Sequence, residues 1–314
     1  MGKVAVSGYV SMDRMIRIDE PARVGYTSSV TNRNNDRLYV GGCSVNIAAA
    51  LNRLGVEAVP LIRVGGDYKE LGIPEFFREF GMSCQGISVV EHEITSRCYL
   101  IQDGQNQHIT LFYEGAMKGE YAGTLPERYF ENVSLGIMTV GSHRDNREFL
   151  DQCLRHGVPL AFGMKGDLKA FPAEFLGEVM AASRLIFVNE QEEQAIEEIT
   201  GVSPVDYLKR GSADAVITTR GQKGSICRYL QDGRRREAEV PAPAVRGEID
   251  TTGAGDAYLA GFIYGYLNRM DWTRCCLAGT AVSYFVLQAP GCCTNLPDEA
   301  ELKREMRRES EGSV

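Results

Sequence analysis

Two rhythms of apolar and polar residues run along this chain. Short runs rich in β-branched residues ("KVAVSGYV", "VEAVPLIRVGG", "SLGIMTVG", "VPLAFGM", "RLIFVNE", "DAVITTRG") have the length and composition of buried strands. Stretches of helical spacing lie between them. One is "GGCSVNIAAALNRLG", whose Ala48–Leu51 core stops at Gly55. From about Leu135 the alternation is regular, which predicts parallel strands joined by right-handed crossovers. "EITSRCYLIQ" and "QHITLFYEG" flank "DGQN" and read as a hairpin, and "GSICRYLQDGRRREAEVP" reads as another at a sheet edge. Beyond Gly253 the pattern is helical to the end of the chain.

These elements predict one α/β domain over 1–314, with a mostly parallel central sheet. A small β element would come from two insertions, about 14–40 and 94–117. In such a sheet ligands bind beyond the carboxyl ends of the strands. Gly8, Gly41-Gly42, Gly65-Gly66, Gly141 and Gly221 would collect there, and a β flap rooted at the same end would be a lid. Most of these glycines are expected to be ordinary turn punctuation.

Composition narrows the function. Hydrophobic residues make up 44% of the chain and the formal net charge is −8. That acidic balance argues against nucleic-acid binding, and Arg234-Arg235-Arg236 reads as a solvated hairpin edge. No apolar run approaches the roughly 18–20 residues that span a bilayer. The start shows neither a signal peptide nor a myristoylation pattern, so a cytoplasmic protein without membrane partners is expected. Nine cysteines include two adjacent pairs, Cys275-Cys276 and Cys292-Cys293, and no C-x-x-C. With four histidines at no ligand spacing, these cysteines are expected to be reduced, buried packing residues.

"DTTGAGDAYLAGF", Asp250 to Phe262, carries the strongest chemistry. Gly253, Ala254 and Gly255 at a helix mouth would leave backbone N–H groups and the helix dipole open to an anion. Asp256 in the first turn would suit a base that deprotonates a hydroxyl attacking a phosphoryl group. Ala257, Gly261 and Gly265 form a small-residue stripe that would let the helix approach the sheet. The segment lacks the third glycine of a dinucleotide fingerprint, and the chain has no P-loop motif. Taken alone, Asp250 and Asp256 could also simply cap a helix.

The segment resembles the C-terminal signature of the ribokinase-like (PfkB) sugar and nucleoside kinases. "GGCSVNIAAALNRLG" with "VGGD" resembles their N-terminal signature, "VNEQE" their N-x-x-E segment, and "TTRGQKGS" their nucleotide loop. The motifs follow the family's order over nearly the whole chain. The resemblance implies a three-layer α/β/α kinase with a small β-sheet lid, ATP as donor, Mg2+ and in many members K+. It implies Asp256 as general base, with the amides of Gly253, Ala254 and Gly255 as anion hole. Asp13, Gly41, Gly42 and Asn46 match substrate-binding positions, although Asn46 could equally be a helix N-cap. Asn189 and Glu192 match the segment that organises the metal through water, and N-x-x-E is equally a capping-box pattern. Thr219, Gly221 and Gly224 would line the ATP side, and Asp250 and Thr252 match monovalent-cation positions.

The lid segment "TSRCYLIQDGQNQHITLFYEGAM" resembles that of bacterial adenosine-kinase-like members. Phe112, Tyr113 and Met117 could give a purine a flat apolar surface, or the alternation could be a plain sheet face. Two positions depart from the family. Glu114 stands where proline is usual, and "AFGMKGDL" replaces a common Asp-Pro and leaves Lys165 at a strand end. The expected function is phosphoryl transfer to a ribose-containing acceptor, a nucleoside in preference to a free sugar such as ribose or fructose, by a homodimer paired through the lid. A binding protein that keeps the fold without turnover is disfavoured by Asp256 and its glycines, and an oxidoreductase by the missing fingerprint.

Overall fold

β-branched and small apolar residues in the first run make β1 (Lys3–Ser7), and the alternation continues in β2 (Ser11–Arg17) and β3 (Tyr39–Gly41). α1 (Cys43–Arg53), β4 (Ala58–Gly65), α2 (Ile73–Glu79), β5 (Ile87–Val90), β6 (Arg97–Gln102), β7 (His108–Tyr113) and β8 (Val133–Met138) follow. Next come α3 (His143–Arg155), β9 (Leu160–Gly163), α4 (Ala173–Ala182), β10 (Ser183–Asn189), α5 (Glu190–Thr200), α6 (Tyr207–Arg210) and β11 (Ala215–Thr219). β12 (Ser225–Gln231), β13 (Arg234–Val240), α7 (Ala254–Leu267), α8 (Trp272–Val286) and α9 (Glu299–Glu311) complete the order. This computed structural model describes residues 2–105, 107–163, 167, 169–244 and 251–311.

Nine strands form one sheet in the order β13-β12-β11-β10-β9-β8-β1-β4-β5. It is parallel from β11 to β5, and the β12–β13 hairpin closes one end in antiparallel pairing. Alternate residues of each strand feed two cores, one on each face. Val4 and Val6 of β1 join the core with α1, α7 and α8, whereas Ala5 joins the core with α3, α4 and α5. The result is three layers, helices on both faces of the sheet.

From β1 the chain builds outward to β4 and β5, then returns to add β8 through β11 on the other side. The topological switch therefore falls between β1 and β8, where a ligand crevice opens at the carboxyl ends. Thr139, just past β8, ties the two ends together by donating from its hydroxyl to the Ser7 carbonyl at 2.8 Å. The smaller sheet, ordered β3-β2-β6-β7, springs from this same end of β1.

Local physical causes shape three further features. The edge strand β5 is short and only half-buried, so its alternation is faint. α2 starts only at Ile73, because Gly72 adopts φ 74° and Pro74 suits a first helical turn. The small-residue stripe of α7 faces α8 rather than the sheet. A Cβ on Gly261 would lie 2.4 Å from the Ala278 carbonyl oxygen, and one on Gly265 would lie 3.0 Å from Cys275 Cα. All nine cysteines are free, seven are buried, Cys43 is half-buried and Cys84 is exposed. Cys84 thus departs from the expected buried role, since it sits in a short surface turn between α2 and β5.

Candidate active site

Asp256 lies in the first turn of α7, 3% exposed. It does not cap the helix: Gly253 is the N-cap, with φ 76° and no side-chain cap bond. Instead its Oδ2 accepts a hydrogen bond from Asn46 Nδ2 of α1 at 2.9 Å. Asn46 is no cap either, since Gly42 begins α1 and the amide points inward. Gly253 is required twice over. Its φ is left-handed, and a Cβ there would sit 2.6 Å from the Cβ of Cys292. The turn Gly253–Gly255 is thus pressed onto Cys292, with the first-turn amides of α7 at its mouth.

Asp13 is the third residue of β2. The pairings Ser11↔Gly41 and Asp13↔Tyr39 bring β3 beside it. A Cβ on Gly41 would fall 2.2 Å from Asp13 Oδ2, so glycine leaves room for the carboxylate. The Ser11 hydroxyl donates to Asp13 Oδ1 at 2.5 Å. Burial pushes the Asp13 carboxyl up to about 6; the Ser11 hydrogen bond opposes the rise, and the nearby Asp256 charge adds to it. A buried carboxylate pair, Asp13 from β2 and Asp256 from α7, therefore shares one electrostatic environment.

Register fixes what else faces this pair. Asp13 pairs with Cys98 and Cys98 with Phe112, so these three share one face of the small sheet. Two residues along, Met15, Leu100 and Thr110 continue that face, followed by Arg17 and Gln102. With Thr251 and Thr252 they line a cavity of about 190 Å³ between the small sheet and the turn before α7. Phe112 packs against Tyr9 with ring centroids 4.9 Å apart. Glu114, the departure from proline, accepts from the Tyr9 hydroxyl at 2.9 Å and holds that ring in place.

The other two residues expected beside Phe112 lie elsewhere. Tyr113 falls on the opposite face, and its hydroxyl donates to Glu93. Met117 is buried in the core, with its sulfur accepting from the Arg63 N–H at 3.1 Å. Met15, Leu100 and Tyr9 escaped the sequence reading. Counting in twos from Asp13 would have found Met15, but nothing in the sequence pairs Leu100 with it.

At the far end of the crevice, Asn189 ends β10 and Thr219 ends β11, and the two are register partners. Asn189 and Glu192 form a complete capping box: Asn189 Oδ1 accepts from the Glu192 N–H, and Glu192 Oε2 accepts from the Asn189 N–H. Gly221 and Gly224 shape the following turn with φ 55° and 88°. A Cβ on Gly224 would meet the Val240 carbonyl oxygen at 2.0 Å, whereas one on Gly221 meets nothing within 4 Å. Ser225, paired with Thr219, accepts from the Tyr258 hydroxyl of α7 at 2.8 Å, which joins this end to the helix of Asp256. Asp250 and Lys165 lie outside the described residues.

The same architecture is found in known proteins. The model for the pfkB family carbohydrate kinases matches residues 1–299. A nucleoside kinase of Methanocaldococcus jannaschii is 29% identical over 95% of this chain and 94% of its own length. The crystal structure of M. jannaschii nucleoside kinase, a ribokinase-family member, superposes with a TM-score of 0.85 at 28% identity, covering 98% of this chain and 99% of that one. The nucleoside kinase of Burkholderia thailandensis, solved in complex with inosine, superposes at 0.84 with 24% identity and 98% of each chain covered. Kinases of this family use ATP as phosphoryl donor. The chain belongs to the pfkB family carbohydrate kinases, and it is a phosphotransferase with an alcohol group as acceptor.

Proposed function

We propose that this kinase transfers the γ-phosphoryl group of ATP to the primary hydroxyl of a nucleoside, with Asp256 as general base. The observation that carries this reading is Asp256 itself, a buried carboxylate beside a glycine-built helix N-terminus and within reach of the Asp13 charge. The amides of Gly253, Ala254 and Gly255 receive the charge that develops on the transferring group. As the acceptor oxygen bonds to phosphorus and the bond to the ADP oxygen breaks, Asp256 takes the hydroxyl proton. Asp13 accepts from the two vicinal ribose hydroxyls with its two oxygens. Gly41 and Gly42 allow the backbone to approach the sugar, and Asn46 holds Asp256. Phe112 and Tyr9 offer the base an aromatic surface.

Thr219, Gly221, Gly224 and Asn189 form the nucleotide side in this reading. A magnesium ion carried by phosphates keeps most of its waters and needs only one or two carboxylates. Glu192, in the first turn of α5 just past β10, would fill that role through water while it closes the cap. Thr252 and Asp250 would hold a monovalent cation. The names of the M. jannaschii and B. thailandensis relatives favour a nucleoside over a free sugar. The enzyme would act in the cytoplasm as a homodimer. β7 is the outer strand of the small sheet among the described residues, and Ile109 and Leu111 on it are 44% and 53% exposed.

A coupled ADP-release panel tests the acceptor. With Mg-ATP fixed, adenosine, inosine, guanosine and cytidine are compared with ribose and fructose. Turnover of at least one nucleoside at tenfold higher kcat/KM than any free sugar is expected. Turnover of sugars alone would overturn the nucleoside assignment. No turnover of any compound, with ligand-induced rises in Tm, would point to a binding protein.

A further inference from the structure

Asn46 meets Asp256 with its amide nitrogen, and its other end is also occupied. The Cys293 thiol donates to Asn46 Oδ1 at 3.6 Å, from a side chain that is 8% exposed. The neighbouring Cys292 packs on Gly253, where a Cβ would approach within 2.6 Å. Two consecutive residues after α8 therefore touch both parts of the reacting centre: the anion turn through Cys292 and the base through Asn46.

We propose that Cys293 is a positioning residue for phosphoryl transfer: its thiol fixes the Asn46 carboxamide so that Nδ2 holds the Asp256 carboxylate toward the acceptor. This rests on the reading of Asp256 as base.

The chemistry of an amide makes the orientation matter. Asn46 has a donor end and an acceptor end, and a half-turn exchanges them. In the reversed orientation Oδ1 would face the Asp256 carboxylate, oxygen against oxygen, and the Asp256–Asn46 bond would be lost. A thiol is a weak donor, yet it answers the one end of the amide that Asp256 does not hold. The thiol also stays protonated, and therefore able to donate. Burial pushes it well above its usual range, and the charges of Asp256, Asp13 and Glu79 push it further. That protonation separates Cys293 from a reactive cysteine: its role here is as an S–H donor, with no nucleophilic or redox step. Two other buried cysteines also border the site, Cys292 against Gly253 and Cys98 beside Asp13 in the small sheet, and Cys293 is the one whose thiol donates to Asn46. Cys275 and Cys276 lie along α8.

The test uses six variants assayed with adenosine and Mg-ATP. Cys293→Ala and Cys293→Val both remove the donor, and valine keeps the volume if alanine compromises folding. Each is expected to lower kcat by about three- to tenfold, the effect of one weak hydrogen bond, with both KM values within about twofold. Cys293→Ser restores a donor and is expected to recover kcat to within about threefold of the parent. In an Asn46→Ala background, Cys293→Ala is expected to cause no further loss, because the proposed route through Asn46 to Asp256 is gone. An unchanged kcat in both non-donor variants overturns the proposal. So does a loss that serine does not rescue, or one that adds in full to the loss from Asn46→Ala. Asp256→Asn in the same assay separates the two readings. Near-normal turnover there removes the base itself, whereas an inactive Asp256→Asn beside a normal Cys293→Ala removes only the positioning role.

Discussion

Around Asp13, Asn46 and Asp256 the polar atoms are buried and held by side chains, Ser11 on Asp13 and Asn46 on Asp256. Around Asn189, Thr219, Gly221 and Gly224 the shape comes from backbone turns, strand ends and a capping box. Under the proposed function, the contrast follows from what each half would recognise. Sugar hydroxyls are told apart by fixed donors and acceptors in a dry pocket, and a misplaced atom there is costly. Phosphates and a nucleotide are met by backbone amides and helix termini, which tolerate side-chain change provided the turn keeps its form. The acceptor half should therefore fail on isosteric replacements, and the nucleotide half on replacements that bend its backbone.

Asp13→Asn offers the sharpest separation. Loss of a carboxylate that accepts from two hydroxyls is expected to lower kcat/KM for the acceptor by about 100- to 1,000-fold, with KM for ATP nearly unchanged. Stability should move the other way. A carboxyl raised in the folded state from 3.8 to about 6 contributes stability that is fully present below 3.8 and lost as pH rises through about 6. At pH 8 the buried charge costs about 2–3 kcal/mol, so the asparagine variant should unfold at higher temperature there. That advantage should shrink toward pH 5. Thermal melts at both pH values, beside acceptor kinetics, check the pair of effects.

Gly253→Ala comes next. Its Cβ would strike Cys292 from a left-handed φ, so about 1–3 kcal/mol of stability and at least about tenfold in kcat should be lost. On the nucleotide half, Gly224→Ala should disturb the turn against Val240 and raise KM for ATP by about tenfold. Gly221→Ala should raise it less, about two- to threefold, since its Cβ meets nothing within 4 Å and only its left-handed φ of 55° strains the turn. Equal effects at the two glycines would break the claim that backbone form governs this half.

Smaller again is Asn189→Ala. Loss of the cap should cost about 1 kcal/mol of stability and raise KM for ATP only a few-fold. A large fall in kcat instead would give Asn189 a direct part in transfer. The smallest change concerns the lid edge. Leu111→Lys should leave acceptor and ATP kinetics within about twofold while shifting a lid-paired dimer toward monomer in light scattering.

Much of this plan was legible in the chain. The run of short buried strands predicted the parallel sheet, because strands covered on both faces read as near-continuous apolar runs. "TTGAGD" predicted the glycine-built helix mouth. The small sheet was harder. Alternation shows that Phe112 and Tyr113 lie on opposite faces, but not which face turns to the site; only pairing through Cys98 to Asp13 decides it. The stripe of Ala257, Gly261 and Gly265 announced a close approach without naming the partner, which is α8. The Cys293–Asn46–Asp256 chain joins residues more than 200 positions apart, and no local pattern encodes such a contact. At Asn189 both readings of N-x-x-E remain in force, since a cap uses backbone N–H groups and leaves the strand end facing the crevice.

The central claim is that Asp256 removes the proton from the acceptor hydroxyl. Single-turnover phosphorylation of adenosine by Asp256→Asn, beside calorimetric binding of adenosine to the same protein, tests it most directly. The account predicts a transfer rate lower by about 100- to 10,000-fold with adenosine affinity within about threefold. A transfer rate near that of the parent enzyme would contradict it.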